Sequence, residues 1–249
     1  MSNRKSVFQN ENPNPATRFL EWKSDHQKFA YWDKEKEANV FVELPFKFLA
    51  LNILHTVKGY SKGKESGIYS NEVKHLKNDI MHVKYFKGNE KIASGYWNEI
   101  KDEVKALGGK YTQSIYAMTQ KGTLINIGLN GAAISDWFEF IKKTKSRLYD
   151  EWVAVEGFKK GKSGKVEYTY PLFEYQGSLN SDEAEHADEC FNVLDDYLQK
   201  YLDADEHDNE APEEVNSDDM DIIVNGEKEV NIDNVVQEVI KENIDDSPF

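Results

Sequence analysis

Gly95-Tyr96-Trp97-Asn98-Glu99-Ile100-Lys101-Asp102-Glu103-Val104-Lys105-Ala106-Leu107-Gly108-Gly109, residues 95–109, is the stretch on which the fold turns. Trp97, Ile100, Val104 and Leu107 recur at helical spacing and form an apolar stripe, and the glycine pair stops the helix. Strand-like segments lie on both sides of it. Upstream, residues 29–32 (Phe-Ala-Tyr-Trp), 38–44, 47–57, 68–73 and 80–87 read as strands. In the third, Leu49, Leu51 and Ile53 alternate with Phe48, Ala50 and Asn52, a strand pattern that leaves a helix open. In the last, Met81, Val83 and Tyr85 share one face, and His82, Lys84 and Phe86 the other. Residues 58–67, with four charges and three glycines, read as a flexible basic loop. Downstream, residues 110–118 and 123–129 form two strands joined by Thr119-Gln120-Lys121-Gly122.

A second helix is predicted over residues 132–148, with Ile134, Trp137, Phe138 and Ile141 facing a core. Residues 152–160 and 165–175 form a hairpin around a lysine- and glycine-rich turn. A last helix starts near Asn180, with Glu183 completing a capping box and Ala187, Phe191, Leu194 and Leu198 as its stripe. The chain is therefore expected to be mainly β with α additions (α+β). The order β-β-β-α-β-β resembles the OB-fold, which implies a five-stranded barrel carrying a C-terminal hairpin and helices.

Charge divides the chain. The net charge is −14, yet residues 203–249 hold 17 acidic and 2 basic residues, a net of −15, leaving +1 on the rest. Residues 1–179 alone carry +7, from 28 basic and 21 acidic residues. Three parts are expected: an N-terminal arm (1–26) containing Asn12-Pro13-Asn14-Pro15, a body (27–202), and an acidic tail (203–249) too poor in apolar area to fold. Within the tail, Ile232, Val235, Val236, Val239 and Ile240 have the spacing of a short amphipathic helix. The polar start, the single Cys190 and the lack of any run near the roughly 20 apolar residues of a membrane span lead to the expectation of a cytoplasmic protein with no membrane partner.

A mildly basic body rich in rings fits single-stranded nucleic acid. Each base offers a π-face to an aromatic side chain, and lysines follow the phosphates. The candidate DNA-binding residues are Tyr31, Trp32, Lys58, Tyr60, Lys62, Lys64, Lys84, Tyr85, Phe86, Lys87, Lys110, Tyr111, Tyr116, Lys159 and Lys160. The loop at residues 58–64 leads them, because its glycines would let backbone approach a bound strand.

The chain ends in Asp245-Asp246-Ser247-Pro248-Phe249, behind an acidic stretch. This tip resembles that of bacterial single-stranded DNA-binding proteins. The resemblance implies that Phe249 enters an apolar pocket on a partner, that its carboxylate meets a basic residue there, that Pro248 limits the entropy of docking, and that Asp245 and Asp246 steer the approach. Ser247 departs from that pattern, which usually has an apolar residue. The stretch from Asn14-Pro15-Ala16-Thr17-Arg18-Phe19-Leu20-Glu21-Trp22 through Glu43-Leu44-Pro45-Phe46-Lys47-Phe48-Leu49 is similar to single-stranded DNA-binding proteins predicted in large tailed phages of gut bacteria. It implies an OB-like fold and a role in replication or recombination. With the tip, the expectation is a protein that coats unpaired DNA in replication, recombination or repair, in a host cytoplasm if phage-encoded, and recruits a polymerase, primase, helicase or recombinase through Asp245, Asp246, Pro248 and Phe249. The alternative is an acidic-tailed assembly chaperone or interaction protein that does not bind DNA.

Enzyme signatures are scarce. The chain has no Gly-x-x-x-x-Gly-Lys-Ser/Thr, His-Glu-x-x-His or Gly-x-Ser-x-Gly motif. Its six histidines lack ligand spacing with one another or with Cys190, so neither a metal nor a cofactor is expected.

Overall fold

The computed structural model describes residues 12–144 and 147–207. These residues are mainly β, with helices added, as the pattern predicts. In chain order they form β1 (Phe19–Lys23), β2 (Lys28–Asp33), β3 (Ala38–Phe41), β4 (Phe46–Ser61), β5 (Ser66–Ser70), β6 (Met81–Tyr85), β7 (Lys91–Gly95), α1 (Trp97–Ala106), β8 (Gly109–Thr119), β9 (Leu124–Leu129), α2 (Gly131–Thr144), β10 (Glu151–Ser163), β11 (Val166–Ser178) and α3 (Ser181–His207).

The strands join one mixed sheet in the order β3-β2-β1-β9-β8-β4-β5-β6-β7. The expected five-stranded barrel is not formed, because the path has two ends, β3 and β7. The reason is edge occupancy. A strand has two hydrogen-bonding edges, and those of β9 are filled by β8 on one side and, in parallel, by β1 on the other. β9 therefore has no edge left with which to close onto β7. The arm expected over residues 1–26 is corrected with it: Phe19–Lys23 is a strand inside the sheet, and Thr17 is anchored by its N–H to the Leu124 carbonyl at 3.0 Å. At the other end, α3 runs on to His207, past the expected start of the tail at residue 203. Residues 208–249, including the Ile232–Ile240 spacing, lie outside the described residues.

β4 is the spine. One edge pairs with β8 from Phe48 to Gly59. Its other edge meets β10 at Phe46–Phe48, Val73 at His55, and β5 at Lys58–Ser61. A bulge between Ala50 and Asn52 reverses the alternation of side chains. Leu49 and Leu51 therefore share a face with Leu54, not with Ile53. The expected "loop" at residues 58–67 is also strand: Lys58 to Ser61 pair with Tyr69 to Ser66, leaving only four residues in the turn. The predicted strands missed β7, whose sequence Lys-Ile-Ala-Ser-Gly has little apolar alternation.

Each sheet face has its own core. On one, Val57, Ile68, Val83, Ile115 and Ile127 bury against Trp97, Ile100 and Val104 of α1 and Ile134 and Trp137 of α2. On the other, Leu49, Leu54, Tyr116, Met118 and Leu124 bury against Ala187, Cys190, Leu194, Tyr197 and Leu198 of α3. Two predicted stripe members stay outside: Leu107 is 37% exposed and Phe191 40%. The α3 capping box forms as read, Asn180 N–H donating to Glu183 Oε2 and Glu183 N–H to Asn180 Oδ1, each at 2.9 Å. Among the described residues no helix is long and apolar enough to cross a membrane.

Candidate nucleic-acid interface

The α3 side of the sheet is only partly covered by α3. Where β4 continues into its hairpin with β5, directly opposed residues make a line across four strands. Lys110 of β8 pairs with Lys58 of β4, Lys58 with Tyr69 of β5, and Tyr69 with Lys84 of β6. Cross-strand partners project from the same face. Beyond a bulge, Lys84 also opposes the exposed Lys91 of β7. With strands about 4.8 Å apart, Lys110 to Lys84 spans roughly 14 Å and Lys91 extends the line to roughly 19 Å.

Rings interleave with these cations. Tyr69 meets the edge of Phe86 with centroids 6.3 Å apart, and its hydroxyl donates to Asn89 Oδ1 at 2.6 Å. Tyr60, two residues beyond Lys58, lies on the same face opposite Gly67. Lys58 Nζ stands 6.0 Å from the ring centroid of Phe19, itself 38% exposed. Trp32 shares this face through the β1–β2 register, in which Glu21 opposes Ala30. Below the line this face of the sheet is polar: Thr56 opposes Thr112, both buried, and the half-buried His82 opposes Ser94 and is bonded to its hydroxyl at 2.8 Å. Glu72 lies deeper. It accepts from Tyr116 Oη at 2.8 Å. Burial raises its carboxyl above the ordinary value, against the pull of Ser114, Tyr116 and the Lys58 charge.

Lys110 also lines a cleft of about 900 Å³ at the end of β9. One wall is the β1–β2 turn and the other the tip of the β10–β11 hairpin, with Gly128, Asn130 and the start of α2 between them. Trp22, Phe41, Tyr168, Lys23, Lys160 and Lys162 contribute rings and cations.

The candidates drawn from the sequence thus separate. Lys58, Lys84 and Lys110 come together in the line, with Tyr60 and Phe86 beside them and Trp32 on the same side; Lys160 is in the cleft. Lys62 and Lys87 are exposed near the β4–β5 turn. Three tyrosines are corrected to core residues: Tyr85, Tyr111 and Tyr116 are 5%, 7% and 1% exposed, too buried to stack on a base. Tyr111 Oη lies 2.7 Å from His55 Nδ1, and Tyr116 Oη accepts from Asn14 Nδ2 at 3.1 Å. Tyr31 is corrected too, since it packs on the α1–α2 core under the Arg18 guanidinium, 4.9 Å from its centroid. Lys64 is held by Glu90 at 2.9 Å and Lys159 by Asp136. The glycine argument fails at Gly59, where a Cβ would fall 2.2 Å from the Gly108 carbonyl oxygen. Its close approach is to the protein's own β8. Asp245, Asp246, Pro248 and Phe249 lie outside the described residues.

Tyr69, Lys91, Phe19, Trp22 and Tyr168 were missed. Several of them pair within local hairpins, Gly161 with Tyr168 and Lys84 with Lys91 among them, but the pairings that bring those hairpins to one face, Phe19 with Asn126 and Lys58 with Lys110, are long-range, and no short-range spacing reports them. Comparison of the chain with family models, with curated proteins and with solved structures finds no match.

Proposed function

We propose that this protein binds single-stranded DNA along the lysine line, stoichiometrically and without catalysis, in replication, recombination or repair. The observation that carries this reading is the alignment Lys110–Lys58–Tyr69–Lys84 on one face. A single file of cations suits one phosphate backbone, because each lysine can neutralise a phosphate and release its counterions. Tyr69, Tyr60 and Phe86 lie within the same surface, where they can stack on bases that are not already paired. In a duplex those π-faces are occupied, so the rings add nothing and the lysines alone contribute. Hence unpaired strands are favoured.

The acidic residues beyond position 203 have a second role in this reading. The net charge of −15 on residues 203–249 competes with weak ligands for the lysine line, and the terminal Asp245-Asp246-Ser247-Pro248-Phe249 recruits a polymerase, primase, helicase or recombinase once DNA has displaced it. The test is a salt titration of binding to oligothymidine and to duplex of equal length, for the full chain and for a chain ending at residue 207. Preference for the unpaired strand at low salt, strengthened by the truncation, supports the reading. Equal affinity for both ligands in the truncated chain defeats it.

A further inference from the structure

We infer that the cleft at the end of β9 is a separate nucleotide pocket, taking one unstacked base together with its phosphate. Its walls are fastened together at their base. Trp22 Nε1 donates to the Thr169 carbonyl at 2.9 Å, Thr169 N–H donates to Ser24 Oγ at 2.7 Å, and Thr169 Oγ1 donates to the Ser24 carbonyl at 2.7 Å. The concavity is therefore built into the fold. Its volume of about 900 Å³ lies within the range of small-molecule pockets.

Two features name the ligand. The first is a ring surface. Gly161 opposes Tyr168 in the hairpin, and a Cβ at Gly161 would fall 2.3 Å from the Tyr168 ring. The glycine thus lets that ring lie across the strand, in the wall of the cleft. The second is a surplus of positive charge. Lys23 pairs with Glu21 at 3.1 Å and Lys162 with Glu167 at 3.6 Å, and the third carboxylate of the lining, Asp25, lies 3.0 Å from His26 Nδ1, while Lys110 and Lys160 have no ion pair among the described residues. A planar ring beside two free ammonium groups fits an aromatic ligand carrying a phosphate. Lys110 belongs to the lysine line as well, so a strand lying on that line can place one nucleotide in the cleft. That continuity rests on the proposed function; the pocket does not.

The experiment titrates full-length protein with deoxythymidine 5′-monophosphate, thymidine and inorganic phosphate, following amide chemical shifts, with a thermal melt of each variant as fold control. The monophosphate should bind more tightly than either fragment. Lys160→Ala and Tyr168→Ala should each weaken it about tenfold, in line with loss of one stacked base or one charged contact, and Lys84→Ala should leave it within about twofold. Three results overturn the inference: no saturable shift, phosphate binding as tightly as the monophosphate, or a monophosphate affinity indifferent to both Lys160 and Tyr168 in folded variants. Oligothymidine binding that depends on Lys84 while the monophosphate fails would sink the pocket and keep the lysine line; the opposite pattern would do the reverse.

Discussion

Lys58 and Lys110 are direct cross-strand partners on β4 and β8, two like charges side by side on one sheet face. Juxtaposed cations cost stability in the absence of an anion. In this fold the pair is followed in register by Tyr69 and Lys84, so the cost recurs along a line that a polyanion would relieve.

Replacing Lys58 and Lys84 by alanine should lower affinity for oligothymidine and also flatten its salt dependence. With about four phosphates neutralised, log K should fall against log salt with a slope near −3, and each lysine removed should reduce the slope by about 0.7. Fluorescence anisotropy at several salt concentrations measures both. An unchanged slope would remove these lysines from the interface.

Tyr69→Ala should weaken oligothymidine binding by about 1–3 kcal/mol, the worth of one stacked base, with a cost in stability of about 1 kcal/mol from the Asn89 hydrogen bond and the Phe86 contact. Tyr116→Phe should affect stability alone. It removes the hydroxyl that donates to Glu72 and accepts from Asn14, costing about 1–3 kcal/mol in urea unfolding, while affinity stays unchanged. The contrast separates a ring on the binding face from a ring in the core.

Gly59→Ala should destabilise the protein by about 1–3 kcal/mol or more, because the added methyl meets the Gly108 carbonyl and the Gly109 Cα. Both obstacles are backbone, so the strands themselves must part. Gly63→Ala, in the turn of the same hairpin with nothing within 4 Å of its Cβ position, serves as the control in thermal melts.

His55 gives a pH dependence of known sign. Burial, aided by the charge of His75, lowers its pKa from 6.5 to about 4. The neutral ring is hydrogen-bonded through Nδ1 to the Tyr111 hydroxyl at 2.7 Å. The unfolded chain takes up the proton first, so stability is unaffected above pH 6.5, declines as pH falls from 6.5 to 4, and levels below that. The loss from this group is at most about 3 kcal/mol. Urea unfolding of wild type and His55→Gln at pH 7 and pH 4.5 isolates it: the difference between the two proteins should shift in favour of the variant at the lower pH.

Some of this architecture was legible in the chain because it depends on near neighbours. The α1 stripe of Trp97, Ile100 and Val104, the Asn180–Glu183 capping box and the alternation of Met81, Val83 and Tyr85 are short-range patterns, and the structure realises each of them. The interleaving of rings with lysines misled. It sent Tyr111 and Tyr116 to a binding surface, though strands covered on both faces bury both sets of side chains.

By itself, the sequence determined the mainly β, partly helical character of the body, most of its elements, and the split between a basic body and acidic C-terminal residues. Only the tertiary structure decided that β1 takes the edge of β9 and leaves the sheet open, that the Ala50–Asn52 bulge turns Leu54 and Lys58 toward the α3 face, and that Lys110, Lys58, Tyr69 and Lys84 stand in line. Periodicity acts over a few residues, whereas strand register couples positions as far apart as 58 and 110. A shift of one residue in that register would put Lys110 on the face opposite Lys58 and break the line.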